Sequence, residues 1–244
     1  MNAIDLKNKC AVVTGGAQGF GLAITKRFIE SGARVAIWDK DVKVLQNVEL
    51  KNIHKITVDV TSYESVDQAT KLTLDKFDSI DILVNNAASG IQRSASDLTE
   101  KHWEWTMNVN AKAAWMCSIR ASQLMSKGGN IINITSQGSS KVLPYYFSVG
   151  TSKAALESMT RYLAVELAPK NISVNAVSGG YVNTNALEHF PNREDMIKAG
   201  DQTLPGRPVE AQDIANTVAF LCTTDAEMIR GQVITVDGGV SLRG

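Results

Sequence analysis

The chain has 244 residues, 44% of them hydrophobic, and its 25 Lys plus Arg are matched by 25 Asp plus Glu. That apolar content fills one continuous core, and no Pro-rich, Ser-rich or low-complexity linker divides it, so a single domain over residues 1–244 is expected. The balanced charge lacks the basic excess that neutralises a phosphate backbone, which argues against nucleic acid as a partner.

In chain order, Met1 to Lys9 carries three charged residues and no apolar core of a leader, and no apolar run anywhere approaches the length of a membrane span. A soluble, cytoplasmic protein without membrane contact is expected. Lys9 to Thr14 is a short apolar run with β-branched residues and reads as a buried strand. Gly15, Gly19 and Gly21 follow, and Leu22 to Ser31 reads as a helix. Glycines between a strand and a helix permit a tight turn and close approach of backbone N–H groups to a diphosphate at the positive end of the helix. Arg34 to Trp38 is the second strand and ends in Asp39, eighteen residues beyond Gly21. A carboxylate there accepts both ribose hydroxyls of an adenosine and repels a 2′-phosphate by about 1 to 4 kcal/mol, which favours NAD over NADP. Lys40 and Lys43 offset part of that repulsion.

His54 to Val58 is the third strand, with Asp59 and Val60 at its end, where the Asp59 side chain and the neighbouring backbone can hold an adenine. Tyr63 to Phe77 has helical periodicity, Ile80 to Val84 is the fourth strand, and Asn85, Asn86, Ala87 and Ala88 close it. Thr99 to Met125 is the longest helical segment; its Trp103, Trp105 and Trp115 suggest core on one side and a partner subunit on another, and Asn110 sits in its middle, poorly suited to helix. Gly129 to Ile134 is a fifth strand, Ala154 to Ala168 a helix, Ile172 to Val177 a sixth strand, Glu210 to Leu221 a helix and Gln232 to Val236 a seventh strand. Strands alternating with helices of this length predict a doubly wound α/β fold, a parallel sheet of about seven strands with helices on both faces and ligands beyond the strands' carboxyl ends. The irregular stretch after Gly179 and Gly180, about 183–206, reads as a substrate lid. Cys10, Cys117 and Cys222 fall in apolar runs and His54, His102 and His189 are scattered, so neither disulfides nor a metal site is expected.

Between the fifth strand and the following helix lies Ser136 to Lys153. Tyr146, seven residues before Lys153, returns to nearly the same helical side, so a phenol and an ammonium can converge on one pocket, a pairing that suits a hydrogen-bond donor to a substrate oxygen. Tyr145 is the competing phenol, rotated about 100° off the lysine's face. Ser136 either adds a second hydrogen bond to substrate or caps the next turn. Asn110 either holds a helix bulge and a water near Lys153 or is a plain buried polar residue.

Thr14 to Gly21, Asn85 to Ala87, Asn110, Ser136, Lys153 and Val236 to Gly239 resemble the short-chain dehydrogenase/reductase family over the whole chain. The resemblance implies Gly15, Gln18, Gly19, Phe20, Gly21, Asp39, Asp59, Val60, Asn86, Ala87, Lys153, Gly179, Val182 and Thr184 as cofactor contacts, and Tyr146, Lys153, Ser136 and Asn110 as catalytic residues. Most of that family places its tyrosine four residues before the lysine, where this chain has Val149. Tyrosine seven before lysine resembles the enoyl-acyl carrier protein reductases. Asn85 to Gly90, His102 to Asn108, Ala176 to Gly180, His189 to Asp195 and Met228 to Gly231 are similar to one branch of them, enoyl reductase III. That likeness implies hydride addition to an α,β-unsaturated acyl thioester, presented by acyl carrier protein or coenzyme A, with Tyr146 stabilising the enolate and Lys153 holding the nicotinamide ribose. The branch uses NADPH, whereas Asp39, with Gln18 where NADP users often have arginine, argues for NAD. Alternatives are a carbonyl or alcohol oxidoreductase of the 3-oxoacyl reductase kind and a catalytically silent nucleotide-binding member. Relatives pair as homodimers or homotetramers through the two long helices, here around 110–125 and 151–168.

Overall fold

The structure, a computed structural model, describes residues 4–182, 193–200 and 202–242. Seven strands, β1 (Cys10–Thr14), β2 (Arg34–Asp39), β3 (Ile53–Thr57), β4 (Ile82–Asn85), β5 (Gly129–Ser136), β6 (Ile172–Gly179) and β7 (Val233–Val236), form one sheet in the order β3-β2-β1-β4-β5-β6-β7. Every pairing is parallel, with β1 at the centre of the reversal: Val12 lies opposite Ala36 of β2 on one side and Leu83 of β4 on the other. Strands buried on both faces need apolar residues at consecutive positions, and all five residues of β1 and all eight of β6 are buried.

The α-helices among the described residues are α1 (Gly19–Glu30), α2 (Val42–Gln46), α3 (Tyr63–Phe77), α4 (Glu100–Met107), α5 (Ala113–Ser122), α6 (Phe147–Glu166), α7 (Arg193–Gly200) and α8 (Ala211–Leu221). Alternation along each strand splits the core in two. Ala11 and Val13 face Ile24 and Phe28 of α1 and Ile214 and Val218 of α8, whereas Cys10 and Val12 belong to the opposite cluster with Val66 of α3, Cys117 of α5 and Leu163 of α6. Removing these side chains from water supplies most of the stability, at about 25 cal/mol per Å² of apolar surface.

The elements differ from the sequence expectation where glycine or asparagine masked continuity. Helix α6 begins seven residues before the expected Ala154, because Gly150 is accommodated: a Cβ there would meet the Gly138 carbonyl oxygen at 2.5 Å, so the helix packs its glycine against that turn. The long segment from Thr99 is continuous but changes pitch, with a π-helical turn at Asn108–Lys112 between α4 and α5. Helix α7 lies inside the stretch expected to be irregular, and the lid expected at 183–206 falls partly outside the described residues. No helix among the described residues is long and apolar enough to cross a membrane, and no cluster of potential metal ligands occurs among them. The three thiols are free and buried, and burial pushes those of Cys10 and Cys117 up to about 12 and that of Cys222 higher still.

A buried polar chain ties the middle of the sheet to the helices. Asn85 Nδ2 donates to Asn133 Oδ1 at 2.8 Å and to Ser118 Oγ at 2.9 Å, and Asn133 Nδ2 donates to Thr160 Oγ1 at 2.8 Å. This links β4, β5, α5 and α6 at one level. Asn133→Ala leaves partners on two elements unsatisfied and is expected to lower stability by about 1–3 kcal/mol, read from the urea midpoint at unchanged slope.

Candidate active site

The loop after β1 closes only with glycine. Gly15 has φ +61 and donates its N–H to the Trp38 carbonyl at 2.7 Å, and a Cβ on Gly21 would lie 2.0 Å from the Gly15 carbonyl oxygen. Asn86 fixes the turn from the other bank, its Nδ2 donating at 2.9 Å to the carbonyls of Thr14 and Gly15, while the Asn86 and Ala87 N–H groups each donate to Thr14 Oγ1 at 3.0 Å. Above this frame, Gly19 has nothing within 4 Å of a Cβ position. The first turn of α1 carries no acidic residue, and the side chain of its N-cap, Gln18, makes no capping hydrogen bond. An open cradle lined by helix N–H donors without a side-chain cap fits an anionic diphosphate.

Asp39 ends β2 as a buried carboxylate, accepting from Ala17 N at 3.2 Å and Asp41 N at 3.1 Å. These bonds tie the glycine loop to β2 and leave further lone pairs for ribose hydroxyls. Asp59 is exposed and accepts from the backbone N–H and hydroxyl of Thr61 at 2.9 and 2.7 Å, which together with the nearby Lys40 holds its carboxyl below the usual range. Its side chain is thus engaged with its own turn, next to buried Val60. Phe20 lies against Gly179, where a Cβ would meet its ring at 3.2 Å, so the glycine loop and the end of β6 are neighbours; Val182 is buried just beyond, and Thr184 lies outside the described residues.

Ser136 ends β5 and receives the Tyr146 hydroxyl at 3.2 Å. Tyr146 is the N-cap residue of α6, and its ring rests on Gly138, where a Cβ would approach the ring to 2.4 Å. Tyr145 has φ +61 and is 47% exposed, so of the two candidate phenols only Tyr146 enters the pocket with Ser136. Val149, the residue four before Lys153, is buried against Gly90: a Cβ on that glycine would come within 2.2 Å of Val149 Cγ2. Lys153 is buried and donates from Nζ to the Ile134 carbonyl at 2.8 Å. Asn110 sits in the π-helical turn, accepting from Ser89 N at 2.8 Å and donating to Ser152 Oγ at 2.9 Å, beside Lys153 in the chain.

The two titratable groups are held in opposite ways. Burial raises the Tyr146 phenol above its usual value, the Ser136 hydrogen bond opposes the rise, and nearby Tyr181 adds to it. Burial lowers the Lys153 ammonium to about 8, with Glu157 opposing. At neutral pH the pocket therefore offers a protonated phenol, a donor to an oxygen that gains negative charge, and a cationic lysine on the β5 carbonyl.

A family model described as Enoyl-(Acyl carrier protein) reductase matches residues 15–241. The chain belongs to the short-chain dehydrogenase/reductase family. Among relatives of this short-chain dehydrogenase/reductase, (2S)-[(R)-hydroxy(phenyl)methyl]succinyl-CoA dehydrogenase subunit BbsD of Thauera aromatica is 36% identical over 98% of this chain and 99% of its own length. The 1-cyclohexenylcarbonyl-CoA reductase of Streptomyces collinus is 31% identical over 97% of this chain and 88% of its own. In structure, the 3-ketoacyl-(acyl-carrier-protein) reductase of Brucella melitensis, complexed with NADH, superposes with a TM-score of 0.91 at 30% identity, covering 97% of this chain and all of that one. The chain is thus a short-chain NAD(P)-dependent oxidoreductase.

Sequence reasoning missed Gly138, Gly90 and Tyr181, whose proximity to the pocket residues is tertiary. It also did not show the contacts Trp105 makes within the chain: its indole donates to Ser89 Oγ at 3.0 Å and its face receives Lys40.

The lowered Lys153 fixes a pH dependence. Between pH 8 and the ordinary lysine value of 10.5 the unfolded chain binds the proton that the folded chain has released, so this group adds stability as pH rises through that window. Urea titrations from pH 7 to 10.5 should show the parent gaining on Lys153→Met by up to about 1.4 kcal/mol per pH unit. A constant difference would place the lysine's titration outside the window.

Proposed function

We propose that this enzyme is an NADH-preferring enoyl-thioester reductase that adds hydride to the β-carbon of an α,β-unsaturated acyl thioester. The observation that carries the reading is the exchange of phenol positions: buried Val149 stands four residues before Lys153, and the hydroxyl on Ser136 comes from Tyr146 instead. A proton donor at that displaced position suits the oxygen of a conjugated thioester, which lies three bonds from the β-carbon that takes the hydride.

The bound dihydronicotinamide supplies the hydride. As the substrate's β-carbon accepts it, the double-bond electrons move toward the thioester oxygen, and a solvent proton at the α-carbon completes the saturated product. Tyr146 donates to that oxygen, giving up its bond to Ser136, whose hydroxyl remains available as a second donor. Lys153, pinned on the Ile134 carbonyl, supplies positive field and hydrogen bonds to the nicotinamide ribose, while Asn110 holds the π-helical turn against the start of α6. Asp39, a carboxylate held by the Ala17 and Asp41 N–H groups, would repel a 2′-phosphate and so favours NADH. The match to an enoyl reductase model and the 1-cyclohexenylcarbonyl-CoA reductase support the reaction class. The exposed Trp115, Tyr162 and Val165 of α5 and α6 support self-association through those helices.

A second reading, reduction of a 3-oxoacyl thioester or oxidation of its alcohol, is favoured by the names of the dehydrogenase and ketoacyl reductase relatives. The two separate on substrate: NADH oxidation with crotonyl thioester and little with acetoacetyl thioester supports enoyl reduction, and the reverse pattern rejects it. Tyr146→Phe should lower kcat on the preferred thioester by about 100- to 1,000-fold with KM changed far less.

A further inference from the structure

Lys40 leaves the end of β2 directly after Asp39, and its Nζ lies 4.6 Å from the centroid of the Trp105 ring. Trp105 belongs to α4 and is moored by its indole N–H to Ser89, just beyond the end of β4, and Ser89 in turn donates to Asn110. Because β1 lies between β2 and β4, the lysine and the indole reach each other across two strand spacings, about 9–10 Å, above the carboxyl end of β1. That is the crevice in which a dinucleotide crosses an open α/β sheet. Lys40 is the cation next in sequence to the carboxylate that faces the adenosine ribose, and its charge also reaches Asp59 on the β3 side. A cation so placed would ordinarily offset the repulsion between Asp39 and a 2′-phosphate. Here its ammonium is engaged on the opposite bank.

We infer that Trp105 is a cofactor-selectivity residue: by capturing the Lys40 ammonium on its ring it withholds that charge from a 2′-phosphate and leaves Asp39 to select NADH. The inference rests on the dinucleotide site and its NADH preference and is independent of which thioester is reduced, so it is read by binding alone.

Titration of the parent protein, Trp105→Leu, Trp105→Phe, Lys40→Gln and the Trp105→Leu/Lys40→Gln double variant with NADH and with NADPH, by calorimetry, gives the ratio of the two Kd values in each. Release of a surface cation–π contact should tighten NADPH relative to NADH by about two- to fivefold in Trp105→Leu. Trp105→Phe, which keeps a π face, should stay near the parent ratio, and the double variant should lose the gain. Lys40→Gln alone should cost no NADPH affinity, a result that stands even if the leucine variant folds poorly. An unchanged ratio in folded Trp105→Leu, a shift that survives in the double variant, or a loss of NADPH binding in Lys40→Gln would each overturn the inference. Binding of neither dinucleotide to the parent would overturn the site itself, whatever the enzyme's turnover shows.

Discussion

The contact between the Tyr146 ring and the backbone at Gly138 sets the geometry of the pocket. Gly138 allows the ring to lie on the turn after β5, and Gly150 lets the first turns of α6 approach the same turn, with the Gly138 carbonyl where a side chain would otherwise be. Those two missing side chains bring the phenol to Ser136 from the N-cap of the helix. Had either position carried a Cβ, the ring or the helix would have to move by an ångström or more. The hydroxyl would then leave Ser136 at the end of β5.

The same economy of space explains Val149. In a helix that starts at Phe147, residue 149 faces inward, and its branched side chain fills the hollow left by Gly90 in the loop after β4. Position 149 therefore contributes no phenol, and the hydroxyl on Ser136 comes from Tyr146. Burial keeps the Tyr146 phenol protonated while lowering the affinity of Lys153 for its proton, so the end of β5 holds a neutral donor on Ser136 and, on the Ile134 carbonyl, a cation whose charge is costly to bury. Glu157 and the Ile134 carbonyl offset that charge in part.

Much of this was legible in the sequence. The β-branched runs at 10–14, 34–38 and 172–177 and their alternation with helices prescribe the parallel sheet, and the strand-glycine-helix order prescribes the loop at Gly15 to Gly21, because both depend on local periodicity and on conformations open only to glycine. Tyr146 and Lys153 were singled out by their spacing along one segment, and Ser136 by its place after the fifth strand and by resemblance. What escaped were contacts between distant segments: the rest of Tyr146 on Gly138 was hidden because a glycine in sequence does not reveal what approaches it, and the start of α6 was hidden because Gly150 resembles a helix breaker until its neighbour is known. Asp59 was read with its neighbouring backbone as a place to hold an adenine, and the sequence did not show that Thr61 two residues on donates twice to its Oδ1. Trp105 escaped because indole on an amphipathic helix looks like core or interface, and its cation comes from sixty-five residues earlier in the chain.

The π-helical turn at Asn108–Lys112 has a consequence for how this scaffold can vary. Inserting one residue into an α-helix advances everything beyond it by about 100°. The turn thus acts as a phase shifter: α4 aims Trp105 at Lys40 beyond the end of β2 while α5 leaves Trp115 exposed, and the two aims are set separately on what is one continuous rod. Shortening that rod by a single residue would bring the halves back into step, so that crevice and outer surface could no longer be tuned independently.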